Sequence, residues 1–216
     1  MGSNERFIAR LIVAEEIEVK FLDTDHNDIR SKLEKMGAIQ THKRTLHKRK
    51  VYDYASGLLE EKGGWVRLRD EGDKITLTYK QNNFNNSGKV IKTLEDEVIV
   101  DDYDEADRFL RSIGLKEKST QENYREVWRV SIDGSIVDIM LDEWPFVKPF
   151  VELELVEGSR NALKELAVQL GLRFEDALEG SVIPVYMSEY NVTAQDIRDY
   201  RGPMLFNQPR PDFLKR

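Results

Sequence analysis

Glu16-Ile17-Glu18-Val19-Lys20-Phe21 alternates charged and apolar residues without a break. A period of two places successive side chains on opposite faces, so this stretch reads as a half-buried strand. The alternation returns in Val66-Arg67-Leu68-Arg69, in Ile75-Thr76-Leu77-Thr78-Tyr79-Lys80 and in Val151-Glu152-Leu153-Glu154-Leu155, and Glu95 and Glu97 lead into Val98 to Val100. Fainter strands are expected around Leu46 to Tyr54, Asn123 to Val130 and Ile136 to Leu141. Residues that tolerate positive φ separate them: Ser56-Gly57, Gly63-Gly64, Asp70-Glu71-Gly72-Asp73, Asn85-Asn86-Ser87-Gly88 and Asp133-Gly134. The pattern is about eight strands joined mostly as hairpins.

Helical periodicity replaces it in three places. Ile29, Leu33 and Met36 share one face of Asp25 to Met36, Phe109, Leu110 and Ile113 one face of Asp104 to Ile113, and Leu163, Leu166, Ala167 and Leu170 one face of Ser159 to Leu170. Each segment opens near a Ser, Thr or Asp suited to capping and stops at Gly37, Gly114 or Gly171. Strand and helix together form a recurring unit, an opening Glu-x-Glu (16/18, 95/97, 152/154), a helix and a glycine stop, with second-Glu-to-Gly spacings of 19, 17 and 17. The recurrence supports a repeated architecture that gathers carboxylates toward one end of a shared sheet.

A single alternating strand is ordinarily a sheet with its charges in solvent. The whole set reads otherwise. The polar faces carry Glu pairs at 16/18, 95/97 and 152/154 and cations at Lys20, Arg67, Arg69, Lys80 and Arg125, with Thr76 and Thr78 between them. Three amphipathic helices need an apolar sheet face, which the outside of a barrel supplies while the polar face turns inward. The predicted fold is therefore α+β, an eight-stranded antiparallel β-barrel with amphipathic helices packed outside. Its expected division is an N-terminal extension over 1–14, the barrel over 15–192 and a C-terminal helix and tail over 193–216.

Composition narrows the chemistry. The 216 residues are 34% charged with a net charge of −7, which argues against a general nucleic-acid binder. There is no cysteine, and the three histidines, His26, His42 and His47, fall within one short span, so thiolate metal sites and cysteine nucleophiles are excluded. The apolar stretch from Phe7 to Ala14 is interrupted by Arg10 and is far shorter than the roughly 20 residues that span a bilayer. A cytoplasmic protein without membrane partners is expected. Clustered carboxylates suit Mg²⁺ or Mn²⁺, whereas Arg and Lys suit phosphoryl oxygens. A metal polyphosphate is the common ligand that asks for both.

Glu16-x-Glu18-x-Lys20 resembles the ExExK signature of the CYTH, or triphosphate tunnel metalloenzyme, superfamily. Arg67-Leu68-Arg69, Thr76 to Lys80, Glu95-x-Glu97, Arg125, Leu141-Asp142-Glu143 and Phe150-Val151-Glu152-Leu153-Glu154 follow in that family's order. The resemblance covers roughly Glu15 to Tyr190 and implies an antiparallel tunnel that binds a triphosphate with divalent cations. It implies metal-site roles for Glu16, Glu18, Glu152 and Glu154, added acidic lining from Glu95 and Glu97, and triphosphate contacts from Lys20, Arg67, Arg69, Lys80 and Arg125. Glu16 and Glu18 join those five cations in the implied catalytic set. Asp142 is a further implied metal residue, which a one-residue slip would exchange for Glu143.

The expected activity is metal-dependent hydrolysis of an inorganic or organic triphosphate, such as tripolyphosphate, ATP or thiamine triphosphate, with Mg²⁺ or Mn²⁺. The alternatives are a class IV-type adenylate cyclase, which makes cyclic AMP and pyrophosphate from ATP, and a non-catalytic polyphosphate or nucleotide binder. Trp144-Pro145-Phe146-Val147-Lys148-Pro149-Phe150 departs from the family pattern, and its aromatics read as a rigid turn or as a stacking surface for a base or thiazolium ring. Lys148 is either a phosphate contact or a surface lysine. The basic run His42-Lys43-Arg44 with His47-Lys48-Arg49-Lys50 reads as a solvated strand and loop face.

Overall fold

The structure is a computed structural model that describes residues 17–84 and 90–215. Glu16, the extension over 1–14 and the turn Asn85-Asn86-Ser87-Gly88 lie outside the described residues. The strands are β1 (Glu18–Phe21), β2 (Ile39–Tyr54), β3 (Gly64–Asp70), β4 (Ile75–Phe84), β5 (Val90–Val100), β6 (Leu115–Ile132), β7 (Ser135–Glu143), β8 (Phe150–Glu157) and β9 (Leu178–Glu179). The helices are α1 (His26–Lys35), α2 (Leu58–Glu61), α3 (Tyr103–Ser112), α4 (Asn161–Gln169), α5 (Ile183–Glu189) and α6 (Ala194–Asp199).

The strands form one antiparallel sheet in the order β5-β4-β3-β2-β6-β7-β8-β1-β9. It curls into a half-barrel. Nine strands replace the expected eight because the two-residue β9 pairs with β1 through Val19↔Glu179 and Lys20↔Leu178. Among the described residues β5 and β9 are the free edges.

Two of the three predicted helices, α1 and α3, begin and end for the expected reasons, whereas α4 opens at Arg160 without a side-chain cap. Asp25 caps α1, accepting from the Asn27 backbone N–H at 2.8 Å, and Asp102 caps α3 through Glu105 N–H at 2.8 Å. The acidic run Asp101 to Glu105 is thus helix-start chemistry. Gly37 at φ 72° and Gly114 at φ 97° end α1 and α3 in the left-handed region that glycine tolerates.

Alternation divides the sheet into two faces. Val19, Phe21, Val137, Ile139, Leu141, Val151 and Leu153 pack with Ile29 and Leu33 of α1 and Leu163 and Leu166 of α4 in the larger core. Tyr52 and Leu68 pack with Ala106 and Leu110 of α3 in a smaller one. Helices therefore cover the apolar convex face, and the intervening polar residues face the concave side.

Two further clusters close one end. Trp144 and Phe150 pack with Val185 of α5, and Tyr186 packs with Met204 and Leu214. Met204 forms a parallel bridge to Gln121 beside the part of β6 that extends beyond β7, exchanging backbone hydrogen bonds with Thr120 and Glu122. No described helix is long and apolar enough to cross a membrane.

Candidate active site

Antiparallel pairing of β1 with β8 sets Glu18 directly across from Glu154 and Lys20 across from Glu152. Side chains opposed in this way stand about 5 Å apart at Cβ, so two carboxylates placed there call for a cation. Lys20 supplies one. Its Nζ donates to Glu18 Oε1 at 2.8 Å and lies 3.1 Å from Glu152 Oε2. Burial opposes the lysine's charge, yet Glu152 and Glu18 raise its pKa above the ordinary value. Burial and the neighbouring Glu152 push the Glu18 carboxyl upward. Glu152 is held low, against its own burial, by Lys20 and then Arg125. One half-buried and one buried carboxylate thus share one ammonium.

The next strands supply more cations. Arg125 of β6 grips Asp142 of β7 with Nε to Oδ1 at 2.7 Å and Nη2 to Oδ2 at 2.5 Å, and reaches Glu152 at 3.4 Å. Asp142 is fully buried and faces the concave side, whereas Glu143 turns away to a two-pronged contact with Arg44. On the other half, Arg67 Nη2 lies 3.6 Å from Glu95 and 3.5 Å from Glu97, Lys80 Nζ lies 3.2 Å from Glu95, and Thr78 donates to Glu97 at 2.8 Å. Glu95 and Glu97 thus contact cations of β3 and β4, several strands away from Glu18 and Glu154 in sheet order.

Four concave-face residues escaped the sequence reading. Glu71 accepts from Arg69 Nε at 2.9 Å and Nη2 at 2.6 Å and from Thr76 at 3.0 Å; burial opposes its charge, but Arg69 draws its pKa down to about 2. Asn123 donates to Asp142 at 3.3 Å and accepts from Arg49. His47 and Arg49 are buried on this face, which corrects the reading of the basic run as solvated; Lys43, Arg44 and Lys48 of the same run are exposed. The physical reason is parity. Residues 47 and 49 share one face of β2, and alternation within the strand expected from Leu46 to Tyr54 would have found them.

The aromatic turn is settled by packing. Trp144 is buried against Phe150 and Val185, and Phe146, at φ 71°, packs into the Tyr186 cluster, so the rigid turn is the structural outcome. Lys148 is a surface lysine paired with Asp23 at 2.7 Å.

No group of three or more acidic or histidine side chains capable of holding a metal ion is assembled among the described residues. The donor chemistry nonetheless fits a hard divalent cation. Glu18, Glu152 and Glu154 offer only carboxylate oxygens, Glu18 opposes Glu154 in register, and an ammonium already bridges Glu18 to Glu152 as a cation would. The concave face as a whole juxtaposes a carboxylate cluster with a row of arginines, an arrangement able to bind a phosphate chain and screen charge that develops along it.

The CYTH domain sequence model matches residues 14–181. Among solved structures, a candidate adenylate cyclase from Vibrio parahaemolyticus superposes with a TM-score of 0.64 at 16% identity, covering 80% of this chain and 98% of that one. The PH1012 protein of Pyrococcus horikoshii gives 0.58 at 21%, covering 79% and 98%. A candidate adenylyl cyclase from Hippeastrum, described as having a dominant triphosphatase activity, gives 0.55 at 18%, covering 81% and 96%. No match was found among curated proteins.

Proposed function

We propose, from the premise that this chain belongs to the CYTH domain family, that it hydrolyses an inorganic or organic triphosphate with the help of a divalent cation. The observation that carries the reading is the shared concave face, on which Lys20 and Arg125 contact Glu152, Glu18 opposes Glu154, and Arg67, Arg69 and Lys80 carry the cations on across β3 and β4. Glu18, Glu152 and Glu154 would hold Mg²⁺ or Mn²⁺, which when bound supplies charge neutralisation and lowers the pKa of water.

The chain's own residues do the positioning. Arg67, Arg69 and Arg125 grip phosphoryl oxygens through their planar forks, and Lys20 and Lys80 add point charges. Four of the five are already aimed by a carboxylate outside the metal set: Arg125 by Asp142, Arg69 by Glu71, Arg67 and Lys80 by Glu95. Pre-aimed donors stabilise charge on the transferring phosphoryl group without having to reorient during reaction. In this arrangement Asp142 acts as the holder of Arg125, because both of its oxygens are engaged there.

A cyclase would share the phosphate ligands but must also hold a base. Burial of Trp144 takes its ring from that task, which favours hydrolysis. The deciding experiment incubates the protein with tripolyphosphate or ATP and Mg²⁺ or Mn²⁺ and resolves the products. Orthophosphate without cyclic AMP is expected, cyclic AMP with pyrophosphate would replace the reading by the cyclase, and no turnover of either would shift it to a different triphosphate or to a binding-only role.

A further inference from the structure

The proposed machinery leaves a group of buried donors unused. His47, Arg49 and Trp144 are 2%, 7% and 6% exposed. The Arg49 guanidinium lies over the Trp144 ring, 4.5 Å from its centroid, and His47 sits two residues before Arg49 on the same face of β2. Arg49 Nε, both ring nitrogens of His47 and Trp144 Nε1 are buried without a hydrogen-bond partner. Buried polar groups are nearly always paired, so the orphans carried by Arg49, His47 and Trp144 call for a partner that the chain itself does not supply.

Charge says which kind. Among the described residues Arg49 makes no ion pair; its hydrogen bond goes to Asn123 Oδ1. The cations facing it are Arg69, Arg67 and Arg125, and Asp142 is the weaker opposing charge. A guanidinium and an indole N–H only donate, and a neutral imidazole adds one donor and one acceptor. Such a set rejects a metal cation. It also fits a nucleobase edge poorly, since a neutral edge leaves the charge of Arg49 and its neighbouring arginines uncompensated. A terminal phosphoryl group satisfies it, its oxygens accepting from the three donors and, in its monoprotonated form, its hydroxyl donating to the remaining imidazole nitrogen.

The wall behind the cluster is closed. Trp144 backs onto Phe150 and Val185, and the Tyr186 hydroxyl donates to Pro145 O at 2.8 Å. A group seated there must be the end of a chain, because a substituted phosphoryl group would drive its substituent into that packed cluster.

We propose that His47, Arg49 and Trp144 form a subsite for an unsubstituted terminal phosphoryl group of the phosphate chain gripped by Arg67, Arg69 and Arg125. The proposal rests on the polyphosphate reading above. It extends that reading by assigning His47, Arg49 and Trp144 to the binding of the chain's end.

Calorimetric titration of the full chain in metal-free buffer tests it, using tripolyphosphate and diadenosine triphosphate, whose two ends are both esterified. Wild-type protein is expected to prefer tripolyphosphate by about 30-fold or more. Arg49→Met should weaken tripolyphosphate by about 30- to 100-fold and Trp144→Phe, which removes the N–H and keeps a ring, by about three- to tenfold. Diadenosine triphosphate should change little, so the preference collapses. Arg49→Met should also melt at or above the wild-type temperature without ligand, because an uncompensated buried charge has been removed.

Tripolyphosphate affinity within twofold of wild type in Arg49→Met, with Arg69→Ala losing it, would overturn the subsite and leave the gripping reading intact. A variant that both melts well below wild type and binds weakly would assign Arg49 a structural role and also overturn it. Failure of the wild type to bind tripolyphosphate would overturn both readings.

Discussion

His47 sits among Arg125, Arg69 and Arg49, and burial together with those cations pushes its pKa from 6.5 down to about 2. The folded chain therefore keeps the ring neutral at pH values where the unfolded chain protonates it. Between those limits the unfolded state binds more protons, so this group makes stability rise with pH and fall as pH drops below 6.5. The loss amounts to about 2 kcal/mol at pH 5, at 1.36 kcal/mol per pH unit. Urea unfolding of wild type and His47→Gln at pH 7.5 and 5.0 checks it. Wild type should lose about 2 kcal/mol more than the variant over that interval, and equal losses would show that the folded ring takes up a proton. At the same scale, the charged residues of the concave face were legible wherever alternation was clean: Glu18, Lys20, Arg67, Arg69, Glu152 and Glu154 declare their face by parity alone. Glu71 was not, because it lies one residue past the end of β3 in a stretch whose Gly72 and Asp73 announce a turn.

Elements were legible to the extent that their periodicity was unbroken. The three long helices follow from apolar spacing with a glycine stop. β2 runs from Ile39 to Tyr54, yet only its second half reads as a strand, because register shifts between Gln40 and His42 and between His42 and Thr45 break the alternation. α2 was missed for another reason. It has four residues, and Gly57 at its start offers no capping side chain. The cap comes from β2: Asp53, fully buried, accepts from Leu59 N–H at 2.9 Å and Glu60 N–H at 3.0 Å, and also from Tyr54 N–H at 2.6 Å. A carboxylate doing this for three backbone donors leaves them all buried or unpaired when removed. Asp53→Ala should cost about 2–3 kcal/mol in denaturant unfolding, with Asp53→Asn recovering about half. A cost below 0.5 kcal/mol would show that the α2 turn does not depend on this cap.

Across the whole molecule the two cores are unequal, and the concave face joins them. Seventeen buried residues join β1, β6, β7 and β8 to α1 and α4, whereas five join β2, β3 and the start of β6 to α3. Stability is not uniform in such a structure, and the half with fewer buried apolar groups opens first. Amides of β3 and β4 should therefore exchange with solvent faster than those of β7 and β8 in the ligand-free protein. The cations assigned to the phosphate chain are divided between the halves, with Arg67, Arg69 and Lys80 on β3 and β4 and Lys20 and Arg125 on β1 and β6. An anion touching both sets binds only when the weaker half is closed, so its binding energy adds to the cost of opening that half. At 100 times its dissociation constant, tripolyphosphate should slow exchange in β3 and β4 by up to about 100-fold, the equivalent of about 2.7 kcal/mol. β7 and β8 already exchange through the more global opening, and their gain should not exceed that of β3 and β4. Hydrogen exchange followed by mass spectrometry, with and without tripolyphosphate in metal-free buffer, reads both halves at once. Protection confined to β1, β7 and β8 would mean that the arginines of β3 do not hold the chain, and would limit the ligand to the half that carries Lys20, Arg125 and Glu152.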